Sequence, residues 1–246
     1  MKASAYQNLA ENQQHHWWYR GRRAVIKKTL TKYLPHRDKR IVEIGSGAGG
    51  NLSMLKAFGK VSAFEMDDFA REHATRHSSD VDINKGHLPD GLTVRPGSVD
   101  VVCLFDVLEH VQDDRSALIK IHELLADNGV LILTVPAYQW LYGHHDEQLE
   151  HFRRYSMRHL KRLLQSTGFR VTYSSYFNFL LFPVALVVRL MNNINPNLMP
   201  VGTGKPHNRL NESLYFIFKQ ESKILPKWRL PFGLSIIMVV TKSADC

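Results

Sequence analysis

Cysteine is nearly missing from this chain. Of 246 residues only Cys103, inside an apolar run, and the terminal Cys246 carry a thiol. Such a pair supports neither a disulfide framework nor a zinc site, and a reducing cytoplasm is the expected setting. Long hydrophobic runs are missing as well. Residues 179–188 are apolar throughout, but Pro183 interrupts them and Arg189 closes them, short of the roughly twenty apolar residues that span a bilayer. Residues 1–14 are polar, unlike a secretion signal. Acidic residues are scarce at the front, where only Glu11 and Asp38 face Lys2, Arg20, Arg22, Arg23, Lys27, Lys28, Lys32, Arg37, Lys39 and Arg40. Most of the net charge of +9 sits there, so this leader is expected either to meet an anion or to form a solvated helix face.

What the chain does have is glycine in one place. A β-branched run ends in Gly45-Ser46-Gly47-Ala48-Gly49-Gly50, and a helix-forming run over 50–58 follows. Strand, tight turn and helix form a nucleotide cradle: glycine lets the ligand approach the backbone, and the helix start offers N–H donors. Two patterns share these letters. Gly45, Gly47 and Gly50 fit the G-x-G-x-x-G of dinucleotide-binding folds; Gly45, Gly47 and Gly49, with Glu43 ahead, fit the E-x-G-x-G-x-G of proteins using S-adenosylmethionine. Glu65, ending the next strand, is the acid placed to bind ribose hydroxyls of either ligand.

Downstream, strands at 41–45, 61–65, 81–84, 99–105 and 130–135 alternate with helices near 50–58, 67–77, 113–126 and 156–167. Alternation of this kind predicts a doubly wound, mostly parallel α/β sheet with its ligand across the carboxyl ends of the strands. The site candidates are therefore the residues ending each strand: Gly45 to Gly49, Glu65 with Met66, His87 with Leu88, Asp106 with Val107, and the segment from Pro136 on. Met66 and Leu88 are expected to flank a purine, and Asp106 to take an ammonium group. Trp17, Trp18 and Tyr19, followed by Arg20, Arg22 and Arg23, predict a flap over the site with an arginine reaching an anionic group; docking of the aromatics on the sheet is the competing reading.

The segments 43–49, 64–67, 97–111 and 124–136, in that order and spacing, resemble the successive motifs of class I S-adenosylmethionine-dependent methyltransferases, and the resemblance covers roughly residues 15–175. The leader 17–23 and the segment 143–156 look like a broad subgroup acting on small molecules, glycans or lipids. The resemblance implies S-adenosylmethionine as methyl donor, held by Trp17, Arg20, Glu43, Gly45, Gly47, Gly49, Glu65, Met66, His87, Leu88, Asp106 and Val107, with no metal. His87 departs from the pattern, where an aspartate more often stands beside the adenine amino group. It also implies a seven-stranded sheet with an antiparallel last strand, here 234–241 after a sixth strand at 168–173. Three parts follow: an N-terminal helical flap at 1–38, the cofactor domain at 39–175 and 233–246, and a helical insertion at 176–232. The insertion contains the apolar stretch, a polar loop at 192–208 and a helix over 210–224, and reads as a lid, a homodimer contact or a peripheral membrane patch through 177–191.

Methyl transfer to a hydroxyl needs a base, and histidine suits it. His110 comes first, as it follows the fourth strand. His144, His145 and His151, with Asp146, come next, in the region after the fifth strand where Tyr138, Trp140 and Tyr142 are placed to form an apolar wall. Adjacent histidines make a weak metal pattern. Arg153 and Arg154 are placed either to clamp an acidic acceptor or to solvate a helix start. The acceptor is expected to be a small molecule, a sugar or a lipid-linked intermediate, methylated on oxygen. Three rivals remain: a nicotinamide-dependent reductase, for which Tyr215 and Lys219 supply a Tyr-x-x-x-Lys pair, a nucleic-acid methyltransferase, favoured by the basic leader, and a non-catalytic binding module that keeps the cofactor fold, against which the intact glycine turn and Glu65 argue.

Overall fold

A computed structural model describes residues 10–194 and 206–243. Most of the polar loop expected at 192–208, the start of the leader and Cys246 lie outside the described residues. Seven strands form one sheet: β1 (Lys39–Ile44), β2 (Gly59–Glu65), β3 (Asp82–Lys85), β4 (Val99–Phe105), β5 (Leu125–Pro136), β6 (Phe169–Phe177) and β7 (Ser235–Lys242). Their order is β3-β2-β1-β4-β5-β7-β6. The strands β1 to β5 pair in parallel, and β7 runs antiparallel to both β5 and β6. This is the doubly wound sheet that the family resemblance implies, with the antiparallel seventh strand in its place.

Side-chain alternation along the strands builds two cores. Val102 and Leu104 of β4 face one side with Val42, Leu131 and Met238, covered by the helices α4 (Asp114–Leu124) and α6 (Met157–Ser166). Val101, Cys103 and Phe105 face the other with Ile41, Ile132 and Ile237, covered by α1 (Trp17–Tyr33) and α8 (Asn208–Ile224). Strands buried on both faces read as continuous apolar runs because neither set of alternate residues meets water.

α1 docks through Val25, Ile26 and Leu30, all fully buried. Its partner α8 comes so close that a Cβ on Gly21 would sit 2.2 Å from the Phe218 ring. Trp18 stacks over Phe218 and Phe177, and Trp17 meets Phe218 edge-on. The leader aromatics thus hold α1 to α8 and the sheet. Glu221 of α8 accepts the backbone N–H groups of Asn178, Phe179 and Leu180 at 2.7–3.0 Å, which fastens the start of the insertion to its second helix. The insertion's other helix is α7 (Phe182–Ile194), and no described helix is long and apolar enough to cross a membrane.

Several boundaries differ from expectation. The helix expected at 50–58 is one α-helical turn, α2 (Leu52–Leu55). Tighter i to i−3 bonds close it on both sides, from Leu52 to Gly49 and from Phe58 to Leu55. β2 begins at Gly59, whose Cβ position is filled by the Lys39 carbonyl, so the chain has too few residues for a longer helix before it re-enters the sheet. The fifth strand starts earlier, because Leu125 pairs with Val99 across a register shift, and the sixth runs on to Phe177. α3 (Asp68–His77) begins where expected, capped by Asp67 accepting from the Ala70 N–H at 2.8 Å.

Candidate active site

The glycine turn leaves β1 with the N–H groups of Gly45 and Ser46 bonded to the Phe64 carbonyl of β2 at 2.8 and 3.2 Å. Gly45 has φ +71, and a Cβ there would lie 2.5 Å from Val107, so only glycine lets the end of β4 approach the turn. From the other side the leader covers the loop. Gln13 donates to the Ala48 carbonyl at 2.7 Å and occupies the space of a Cβ on Gly50, while Arg23 donates to the Gln13 carbonyl.

Three acids line the carboxyl edge. Glu65 is buried, one oxygen accepting the Gly47 N–H at 2.7 Å and the other the Asp67 N–H at 2.9 Å. Burial pushes its carboxyl above the usual range against those bonds. Each carboxylate oxygen keeps a lone pair for a further donor. Glu43 lies deeper and accepts from Asn51 at 2.7 Å; burial raises it to about 7, partly offset by Asn51 and Arg22. Asp106 has φ +56 and accepts the Thr134 hydroxyl at 3.0 Å. Its other oxygen is bonded to the guanidinium of Arg22.

Arg22 is thus the leader arginine that reaches the strand ends. Arg20, expected in that role, turns to the insertion, where it pairs with Glu212 and lies over the Tyr215 ring. Two helical positions apart means roughly 200° around α1, so the two cannot share a face. Trp17 likewise belongs to the α1–α8 contact, its backbone N–H donating to the Asn211 side-chain oxygen at 2.8 Å. Met66 is 58% exposed beside Glu65, whereas Leu88 is drawn into the core. The exposed His87 ring packs over Gly91, and Val107 over Gly45.

The histidines divide. His110, in the short turn Leu108–His110, sits with its ring 4.6 Å from that of His151, and burial lowers its pKa to about 4. His145 is lowered to about 4 as well, by burial and then by Arg189. His144, on the short helix α5 (His144–Gln148), is exposed and faces Glu147 at 3.6 Å. Neutral, weakly basic rings are what burial makes of His110 and His145. Among the described histidines the one bonded to a buried acid is His151, which the sequence places alongside His144 and His145. Its Nδ1 lies 2.9 Å from the fully buried Asp146. The only sequence signal was the Asp146 and His151 spacing in an irregular segment. Arg154 also bonds Asp146 at 2.8 Å, and Arg153 bonds Asp114 at 2.9 Å, so neither arginine is free to clamp an acceptor. Tyr138 forms the expected apolar wall with Trp140, joined by Tyr176 and Phe182 from beyond the predicted segment.

The edge fits an adenosyl ligand carrying an amino acid. Buried polar atoms with no hydrogen-bond partner gather there: Arg22 Nε, Glu43 Oε2, Ser46 Oγ and Asn51 Oδ1. Glu65 retains acceptor capacity for ribose hydroxyls, Met66 offers an exposed apolar side chain, and the Asp106 and Arg22 pair supplies one charge of each sign for an ammonium and a carboxylate.

A family model described as a methyltransferase domain matches residues 16–174. A protein of Mycolicibacterium smegmatis named as a probable S-adenosylmethionine-dependent methyltransferase is 27% identical over 161 residues, covering 64% of this chain and 61% of that protein. The mitochondrial ubiquinone biosynthesis O-methyltransferase of Schizosaccharomyces pombe is 35% identical over 104 residues, 39% of this chain and 37% of its own length. The chain thus spans less than two thirds of these relatives. Among solved structures, a chain of the complex between the Haloferax volcanii Trm112 methyltransferase activator and a methyltransferase superposes with TM-score 0.65 at 16% identity, over 99% of this chain and 96% of that one. The geranyl diphosphate C-methyltransferase of Streptomyces coelicolor, solved with Mg2+, geranyl diphosphate and S-adenosyl-L-homocysteine, superposes with TM-score 0.58 at 13% identity, over 88% and 79%. These two likenesses are of fold.

Proposed function

The chain belongs to the methyltransferase domain family, and from that premise we propose that it transfers a methyl group from S-adenosylmethionine to an oxygen of a small molecule, a sugar or a lipid-linked intermediate. The observation that carries the reading is the glycine turn braced by Glu65, with unpartnered buried polar atoms gathered around it. Gly45, Gly47 and Gly49 open the backbone, Glu65 takes the ribose hydroxyls, Met66 lies along the purine, and Asp106 with Arg22 holds the amino acid end. The donor supplies a methyl carbon already activated by its positive sulfur; the chain's task is to align the acceptor, exclude water and accept a proton. Gln13 and α1 close the top of the cradle and serve the second of these. The name of the S. pombe relative supports oxygen as the acceptor atom.

Particular contacts weigh against the rivals. Tyr215 lies beneath Arg20, with the Lys219 ammonium 5.6 Å from the same ring, on α8 and not at the cradle. Arg20, Arg22 and Arg23 of the leader are engaged by Glu212, Asp106 and the Gln13 carbonyl, so nucleic acid phosphates would have to be met by other leader cations such as Lys27, Lys28 and Arg37. For the insertion we favour a peripheral lipid contact over a homodimer. On α8 and the segment after it Phe216 and Trp228 are 66% and 73% exposed, with Lys219, Lys223, Lys227 and Arg229 exposed near them in the chain, and Val184 and Val187 of α7 are exposed as well. A two-fold interface would set these like charges against each other, whereas an anionic bilayer attracts them. The protein would then work in the cytoplasm at a membrane surface.

Isothermal titration decides the cofactor: S-adenosylhomocysteine is expected to bind and NADH not. Binding of NADH alone would overturn the proposal. A screen for acceptors gaining the mass of one methyl group then identifies the substrate.

A further inference from the structure

The acid on which His151 rests is buried without exposure, yet it is not left unpaired. Asp146 takes His151 Nδ1 at 2.9 Å and Arg154 at 2.8 Å on one oxygen, and Arg189 at 3.3 Å and the Gly143 N–H at 3.2 Å on the other. Burial favours the protonated acid, but His151, Arg154 and Arg189 outweigh it and hold the carboxyl far below the usual range. An ionised carboxylate only accepts, so Nδ1 of His151 must carry the hydrogen, and in the neutral ring Nε2 is the nitrogen that keeps a lone pair. The backbone fixes the ring's position: the His151 N–H bonds the Asp146 carbonyl at 2.9 Å, its carbonyl accepts the Tyr142 hydroxyl at 2.8 Å, and the next N–H, of Phe152, bonds the Glu109 carbonyl at 2.8 Å. That last bond lays His151 on the turn after β4, at the edge where Asp106 ends the strand.

We infer that the His151 and Asp146 pair is the base of the reaction, His151 Nε2 taking the acceptor's hydroxyl proton while Asp146 holds the imidazolium that forms. This deepens the methyltransferase reading and rests on it. The hydroxyl proton passes to Nε2, the oxygen's electron pair forms the new bond to the methyl carbon, and the pair of the breaking carbon–sulfur bond stays on sulfur as a neutral thioether. Other groups facing His151 are His145 and Arg154 from its own segment, Glu109 and His110 from the turn after β4, and Arg189 of α7 through Asp146. Glu109 is fully buried, both its carboxyl oxygens lack partners, and burial pushes it well above the usual carboxylate range, which disfavours a charge beside His151. His110, the base expected from the sequence, has no carboxylate bonded to its ring in the described contacts and becomes the positioning partner whose ring lies edge-on to His151.

Two measurements test the pair. In the first, nitrogen-15 histidine spectra of the protein, free and with S-adenosylhomocysteine, are expected to show His151 as the Nδ1–H tautomer. An Nε2–H tautomer overturns the inference. In the second, His151→Gln, which leaves Asp146 its two arginines, is expected to lower kcat at least about 100-fold with the acceptor the mass screen identifies. The acidic limb of the pH profile should vanish while S-adenosylhomocysteine affinity is kept. An unchanged acidic limb, or equal loss of cofactor affinity, overturns it. Failure of the wild-type protein to bind S-adenosylhomocysteine would instead remove the underlying reading, whatever the tautomer.

Discussion

Replacing Glu65 by glutamine separates the brace from the ligand contact. In the free protein the two carboxylate oxygens serve two different donors, Gly47 N–H at 2.7 Å and Asp67 N–H at 2.9 Å. A glutamine has one oxygen, so its amide NH2 must face one of those donors, and a buried N–H left without an acceptor costs about 1–3 kcal/mol. Taking about 2 kcal/mol, with roughly 2–4 °C per kcal/mol for a chain of this size, the melting temperature should fall by roughly 4–8 °C. Cofactor affinity should suffer separately. Lost hydrogen bonds from ribose hydroxyls to a charged acceptor are worth about 1.5–3 kcal/mol, an expected weakening of S-adenosylhomocysteine binding of roughly 10-fold to 150-fold. Calorimetric titration well below the variant's melting temperature measures it without interference from unfolding. A lower melting temperature with unchanged affinity would leave Glu65 as a brace for the glycine turn alone, and the ribose assignment would be wrong.

Glu43 sets a pH dependence of stability. Its folded pKa of about 7 lies above the ordinary 4.5, so the fold favours the neutral acid. The contribution is whole below pH 4.5 and is lost as pH rises through about 7; at roughly 1.4 kcal/mol per unit this amounts to about 3 kcal/mol. Glu43→Gln stays neutral and should be more stable than wild type at pH 8 than at pH 5 by that order in urea denaturation; parallel curves would refute the assignment. For the insertion, sedimentation with mixed phosphatidylcholine and phosphatidylglycerol vesicles should exceed that with phosphatidylcholine alone, fall with salt, and fall again in Phe216→Asp. Equal sedimentation with both vesicle types would remove the anionic lipid contact.

The parts legible in the sequence were those in which one chemical property repeats. The mostly apolar β4 and β7, the glycine turn and Glu65 stood out because a strand buried on both faces, or a turn needing glycine, restricts residue type at several positions together. Which polar side chains meet was far less legible. Arg20 and Arg22 are equally basic, and only the rotation of α1 sends the second to Asp106 and the first to Glu212. His151 finds Asp146 within a segment between β5 and α6 that has no periodicity to read. The shortened helix after the glycines could not be foreseen either, since local composition favours helix there and the close approach of Gly59 to Lys39 is a tertiary fact.

The hidden polar contacts have a common energetic consequence. A buried polar atom without a partner costs about 1–3 kcal/mol, a large share of the net stability of a domain, and folded proteins keep few of them. Here Arg22 Nε, Glu43 Oε2, Ser46 Oγ, Asn51 Oδ1 and both Glu109 carboxyl oxygens go unpaired around the glycine turn and the end of β4. The apolar cores on either face of the sheet offset that cost without relieving it. A ligand rich in hydroxyl, ammonium and carboxylate groups relieves it directly, so the energy withheld from folding is returned as affinity when such a ligand binds. The same segments hold Gly45, Glu65 and Asp106, so under the proposed function these unpaired atoms lie where the ligand's polar groups would be recognised.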